Sequence, residues 1–315
     1  MTSAIEFIEV DAAGRRWRIE HQWIGRERVD RPLIVFLHEG LGSLSMWKDF
    51  PPQLCEAAEC RGLVYSRPGY GRSTPRAPGE TWTPAFMHAQ AHEVLPALLH
   101  ALAVVTSAAT SAATSADTSA DPATDKPWLF GHSDGGSIAL LYAARFPSQL
   151  AGTIALAPHI KVEEFGLIGI RAAREAYLHG DLKHKLARHH QDPDSAFWGW
   201  NTIWLDPAFT AWNIEAELTN ITSPVLAVQG AQDQYGTMAQ IDGIALQVAQ
   251  TALLKLQECG HSPHRDQAQL VIAAVSKFIQ GRSAVNPSLV AASASASASP
   301  SASASPARKS PQETT

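Results

Sequence analysis

Cysteine is scarce: the 315-residue chain has three, Cys55, Cys60 and Cys259. An odd number at these spacings suits neither a disulfide framework nor a metal-ligand set. The thiols are therefore expected to be buried or half-buried in a reducing, cytoplasmic setting. No run of about 18 apolar residues occurs, which argues against a membrane-spanning helix. The net charge of −5 comes without any lysine or arginine block, so neither nucleic acid nor an anionic membrane is expected as a partner. The opening residues, MTSAIEFIEV, have no basic start and no apolar core, and no secretory leader is expected. A small-molecule substrate is the expected partner, with a monomer or a homo-oligomer both compatible with the composition.

Two tracts have almost nothing to bury. Residues 106–125, TSAATSAATSADTSADPATD, are near-repetitive, and residues 283–315 are built around SASASASASPSASASP. Such compositions cannot offset chain entropy by burial and predict a disordered loop and a disordered tail. The remainder is long enough for one large core. Residues 5–10 and 16–24 read as an antiparallel pair turned at Ala13-Gly14, and Leu33 to Leu37 is a fully apolar run, the mark of a strand covered on both faces. Similar runs recur at Gly62 to Tyr65, Trp128 to Phe130, Thr153 to Leu156, Val225 to Val228 and Leu253 to Leu256. Helical stretches around 85–104, 136–146 and 238–249 alternate with them. The pattern predicts an α/β fold: a mostly parallel, eight-stranded sheet with helices on both faces. In such sheets ligands bind beyond the carboxyl ends of the strands, so the residues that follow each strand carry the functional information.

After Phe130 comes Gly131-His132-Ser133-Asp134-Gly135-Gly136, then the helical SIALLYAARF. This is G-x-S-x-G between a strand and a helix, where a sharp turn projects a serine hydroxyl and the helix N-terminus favours a developing anion. A nucleophilic serine needs a base, and the base needs an orienting acid. Asp233 follows the strand PVLAVQG, and His261 follows ALLKLQECG. His264 competes as base, but His261 comes directly after the Gly260 turn while His264 is expected to begin a helix. After Leu37, the loop His38-Glu39-Gly40-Leu41-Gly42-Ser43 can turn a backbone N–H towards a reacting carbonyl; Leu41 and Asp134 are the expected amide donors.

Taken together, HEGLGS, SRPGYGRS at 66–73, GHSDGGS, GAQDQYG at 230–236 and CGHSPH at 259–264 resemble the ordered motifs of the α/β-hydrolase superfamily, over about residues 30–280. The resemblance implies Ser133 as nucleophile, His261 as base, Asp233 as orienter and two amide donors, chemistry that needs neither metal nor cofactor. It also implies a helical cap at 158–219, with the hydrolase core at 1–105, 126–157 and 220–282. Glu39 departs from the pattern, since many relatives carry a second glycine there. In the cap segment, GIRAAREAYLHGDLKHKLARHH reads as helix, with His179, His184, His189 and His190 on its polar face. His159 and the aromatic residues Trp198, Trp200, Trp204 and Phe209 are candidates to line a substrate pocket. GHSDGG also resembles the GWSDGG of valacyclovir-hydrolase-like enzymes, in which an acidic residue recognises an ammonium. On that analogy Asp134, Glu39 or the Glu163-Glu164 pair is a candidate partner for a cationic substrate group. Cleavage of a carboxylic ester, lactone or thioester is the expected activity. Carbon–carbon bond hydrolysis of the meta-cleavage type and a non-catalytic binding protein are the alternatives. The low-complexity loop joins a helix to the start of the Trp128 strand, on the face opposite the site. Deleting most of 106–125, and the tail beyond 285, is therefore expected to leave kcat largely intact in a folded variant, as steady-state assays would show.

Overall fold

The structure, a computed structural model, describes residues 2–104 and 126–281. The tracts expected to be disordered, 106–125 and 283–315, lie outside the described residues. Within them, strands and helices alternate as β1 (Glu6–Ala12), β2 (Arg15–Ile24), β3 (Leu33–Leu37), α1 (Phe50–Ala57), β4 (Arg61–Tyr65), α2 (Phe86–Ala89), α3 (Leu95–Ala101), β5 (Trp128–His132), α4 (Asp134–Arg145) and β6 (Gly152–Leu156). An insertion of four helices follows: α5 (Glu164–His179), α6 (Leu182–Leu186), α7 (Pro193–Trp204) and α8 (Glu215–Leu218). The sheet then resumes with β7 (Val225–Gly230), α9 (Ala239–Gln247), β8 (Thr251–Leu256), α10 (Pro263–Asp266) and α11 (Ala268–Ile279).

The eight strands form one sheet in the order β1-β2-β4-β3-β5-β6-β7-β8. Only β1–β2 and β2–β4 pair antiparallel; every other pair is parallel. The buried strands are apolar throughout because alternate side chains enter two different cores. On β3, Leu33, Val35 and Leu37 join Leu129 and the α4 residues Ile138 and Leu141 on one face. Ile34 and Phe36 join Phe130, Leu54 of α1 and Val275 of α11 on the other. From β3 the chain moves outward to β4 and then crosses back to β5, so β3 and β5 flank a topological switch point. The loop after β3 and the turn after β5 meet there.

Two helices differ from expectation. The stretch expected as one helix at 85–104 is α2, a π-helical turn at Gln90–Val94 and α3. Pro96 offers no N–H to the preceding turn, and the wider turn absorbs the mismatch. The stretch 169–190 is also broken: α5 ends at His179, Gly180 is extended, and α6 begins at Leu182. Glycine is among the weakest helix formers, and the break lets the insertion fold back on itself. The aromatic segment forms α7, opened by Pro193 and capped by the Asp192 carboxylate, which accepts from the Ser195 N–H at 2.9 Å. Among the described residues, no helix is long and apolar enough to cross a membrane. Leu129, fully buried on the central strand β5, anchors the first core. Leu129→Ala is expected to lower unfolding free energy by about 2–5 kcal/mol in urea titrations, through lost transfer energy and an incompletely collapsed cavity.

Candidate active site

Ser133 links β5 to α4 with φ 53° and ψ −120°, a left-handed conformation that non-glycine residues avoid. Its N–H is held by the Leu156 carbonyl of β6 at 2.9 Å. Position 135 must be glycine, because a Cβ there would collide with the Leu37 carbonyl at the end of β3. The turn is thus pressed against two neighbouring strands, with Ser133 facing the crevice between them.

His261, after β8, brings Nε2 to 2.9 Å from Ser133 Oγ. Its Nδ1 lies 2.9 and 2.8 Å from the two carboxylate oxygens of Asp233, after β7. The carboxylate is held in turn by Gln229 Nε2 at 2.7 Å and the Tyr235 N–H at 2.8 Å. The three residues expected to act together therefore form one hydrogen-bonded line, which can pass the serine proton to the imidazole while the carboxylate fixes its tautomer. Burial pushes the Asp233 carboxyl up, but the His261 hydrogen bond and charge and the Tyr235 amide outweigh it and hold it below its ordinary value. Burial also lowers His261, against the pull of Asp233, which leaves a neutral imidazole at neutral pH.

Leu41 and Asp134 sit on either side of Ser133 in one cavity of about 160 Å³, lined also by Glu39, Gly40, His159, Ile170, Trp200, Trp204, Tyr235 and His261. The Asp134 N–H opens α4 and has no intrahelical acceptor. Leu41 lies inside the turn closed by the Gly42 N–H on the Glu39 carbonyl at 3.0 Å. Both residues thus line the cavity into which Ser133 opens. His159 is buried, and burial together with nearby His261 lowers its pKa to about 3, so it lines the cavity as a neutral ring. Among the described residues, no group of His, Cys, Asp and Glu side chains converges on a metal-sized site.

Several expectations change. Trp198 does not line the cavity; its ring packs on Tyr177 and Phe197, with Arg174 above it, because it projects from α7 away from Trp200 and Trp204. Phe209 is not a lining residue either, being fully buried against Trp204 and Trp212. His190 is buried rather than on a polar face: Nδ1 accepts the Gly71 N–H at 2.9 Å and Nε2 donates to the Leu41 carbonyl at 3.0 Å. His264 lies under the site among Trp47, Phe50 and His132, not at Ser133. Cys259 is buried, and burial raises its thiol to about 11, so it carries no reactive thiolate.

The acidic residues all face donors or cations of the protein. Glu163 accepts from the Thr237 N–H and hydroxyl at 2.9 and 2.7 Å. Glu39 lies 3.5 Å from both His132 and Arg265. The Asp134 carboxylate is fully buried, accepts from the Trp204 indole N–H at 3.2 Å and faces Arg67 at 3.9 Å. Arg67 and Tyr235 were not singled out in the sequence, although both stand in the motifs after β4 and β7. Arg67 is fully buried and donates from Nη2 to the Glu39 carbonyl at 2.9 Å. The Tyr235 ring lies 4.7 Å from that of His261. An arginine just past a buried strand was the available signal for the first; nothing marked the second.

A family model described as the alpha/beta hydrolase family matches residues 34–274, and the chain belongs to that family. Its fold is shared with solved structures of low sequence identity. A thermophilic esterase from Thermogutta terrifontis superposes with a TM-score of 0.64 at 17% identity, over 88% of this chain and 98% of that one. The enol-lactonase from Burkholderia xenovorans LB400 gives 0.62 at 18% identity, over 87% and 100%. A meta-cleavage product hydrolase from Pseudomonas fluorescens IP01 gives 0.62 at 12% identity, over 87% and 98%. No curated protein sequence matches the chain.

Burial raises the Asp134 carboxyl to about 6, opposed by Arg67 and by the Trp204 hydrogen bond. A carboxyl whose pKa is raised by folding takes up a proton in the folded state first, so stability falls as pH rises from the unfolded value of 3.8 through 6. Compared with Asp134→Asn, the wild-type chain should therefore gain stability as pH drops from 7 to 4, by about 2 kcal/mol, measured as the difference between their urea midpoints across that range.

Proposed function

We propose that the chain is a serine hydrolase that cleaves a small carboxylic ester, lactones and thioesters included, in the cytoplasm. The observation that carries this reading is the continuous line from Ser133 Oγ through His261 to Asp233, opening on a cavity that Leu41 and Asp134 also line. Ser133 attacks the carbonyl carbon while His261 Nε2 takes the hydroxyl proton, and the oxyanion that forms is held by the amides of Leu41 and Asp134. Collapse expels the alcohol or thiol, which leaves with the proton returned by His261. Water, deprotonated by the same imidazole, then releases the acid and restores Ser133.

The volume of about 160 Å³ favours a short acyl group, with Ile170, Trp200 and Trp204 as its apolar walls. Two structural neighbours, described as an esterase and an enol-lactonase, accord with this chemistry.

A panel of p-nitrophenyl esters of increasing chain length, a lactone, a thioester, an amide and a dienone tests the reading. Short esters or lactones are expected to be preferred, and a fluorophosphonate to label Ser133. Ser133→Ala should lower kcat by roughly 10⁴-fold or more. The base must be neutral to accept a proton, so kcat/KM should be flat through neutral pH and fall on an acid limb centred below the ordinary imidazole value of 6.5. Preference for the dienone over every ester would move the assignment to carbon–carbon bond hydrolysis. An unlabelled Ser133 would overturn the mechanism.

A further inference from the structure

His159 follows β6 and is 6% exposed, yet it lines the cavity beside Ser133 and His261. Its main chain is fixed by α4: the Ser137 hydroxyl donates to the His159 carbonyl at 2.6 Å and accepts the His159 N–H at 3.0 Å. The ring packs edge-on against Trp204, with centroids 4.9 Å apart, and lies 6.0 Å from the ring of His261. Among the described residues, the hydrogen bonds of His159 are these two main-chain ones, and neither ring nitrogen has a partner. The polar groups around the ring are engaged elsewhere. The Trp204 N–H donates to Asp134, and both Glu163 oxygens accept from Thr237. Gly236 lies so close that a Cβ there would stand 3.4 Å from ring Cε1, but its N–H donates to Asp233 and its carbonyl accepts from Gln229. A neutral imidazole carries one donor and one acceptor. Buried groups of that kind are ordinarily paired, so an unpaired ring facing a cavity is open to a ligand.

We infer that His159 is a specificity-determining residue whose ring hydrogen-bonds a hydroxyl on the acyl chain of the substrate. The inference deepens the ester-hydrolase reading and rests on it. The ring stands against Trp204, one of the apolar walls assigned to the acyl group, so the polar group it meets belongs to that chain. Glu39 and Asp134 line the same cavity, and a neutral ring has no charge to set against them, which disfavours an anionic substituent. Those carboxylates already face donors or cations of the protein, which leaves a neutral polar group as the fitting occupant. A hydroxyl both donates and accepts, and therefore satisfies the ring whichever nitrogen carries the proton. A cavity of about 160 Å³ admits a chain of few carbons, so the hydroxyl lies close to the scissile carbonyl. An ester without it would leave a desolvated imidazole unpaired, and sites built for a substrate hydroxyl reject the analogue that lacks it.

The test uses the full chain with ethyl butyrate, its α-hydroxy, β-hydroxy and α-amino derivatives, and hydroxyethyl butyrate. One of the two hydroxyacyl esters should exceed ethyl butyrate in kcat/KM by roughly tenfold or more. His159→Phe keeps an aromatic ring but no nitrogen, and should bring that ratio close to one. Equal values for hydroxylated and plain esters, or a preference that survives His159→Phe, would overturn the proposal. Preference for the amino ester would assign recognition to the acidic residues, and preference for hydroxyethyl butyrate would put the hydroxyl on the leaving group; either result defeats the assignment made here. Binding to Ser133→Ala needs neither turnover nor a change at His159. There the hydroxyacyl ester should bind about tenfold more tightly than ethyl butyrate and shift the ¹⁵N resonances of the His159 ring, which ethyl butyrate should not. Resonances that respond alike to both esters defeat the proposal even if His159→Phe fails to fold. Retention of activity in Ser133→Ala would instead defeat the acyl-transfer reading, and the binding comparison does not depend on that outcome.

Discussion

Backbone strain at Ser133 is what the site is built on. A non-glycine residue at φ 53° and ψ −120° costs about 1–3 kcal/mol and persists only where its surroundings over-determine it. Here β5 is hydrogen-bonded on both sides, by β3 and β6. The Ser133 N–H is pinned to β6, and α4 is buried along nearly its whole length and pressed at Gly135 against β3. None of these contacts can relax without dismantling the middle of the sheet. The hydroxyl is therefore presented at the switch point, where the loops after β3, β7 and β8 arrive with Leu41, Asp233 and His261.

Below and around that turn each buried carboxylate faces a ring nitrogen or a cation: Asp233 the His261 ring, Glu39 the His132 ring and Arg265, Asp134 the Arg67 guanidinium. Buried ions are costly singly and tolerable when each faces a partner, so these contacts fix loop against loop as well as lowering that cost. The inserted segment joins the same arrangement through hydrogen bonds to each loop. Trp204 binds Asp134 beside Ser133, His190 binds the Leu41 carbonyl, and Glu163 binds Thr237 after Asp233. Movement of that segment is thereby coupled to the geometry of the cavity it roofs.

Much of this was legible in the chain because it rests on local chemistry. Apolar runs between turn residues located the strands at Leu33–Leu37 and Val225–Gly230, and the glycines around Ser133 announced a turn where main chains touch. Asp233 and His261 were readable because each follows a strand in the order this fold uses. What failed had no local mark. Trp198, Trp200 and Trp204 are chemically alike, and only the rotation of α7 decides that the last two reach the cavity while the first packs on Tyr177. His190 has the look of a surface residue beside His189, yet it is buried because the chain folds back at Gly180.

The sequence by itself determined the order of strands and helices, the sharp turn at Ser133 and the identity of the three residues meeting there. Each follows from residue type and spacing along the chain. Only the tertiary structure decided what Glu39 and Asp134 face, since a carboxylate's partner is set by which strand ends lie side by side in the sheet. Glu39 and His132 are far apart in sequence and neighbours across β3 and β5, and that adjacency, not either residue, makes the pair.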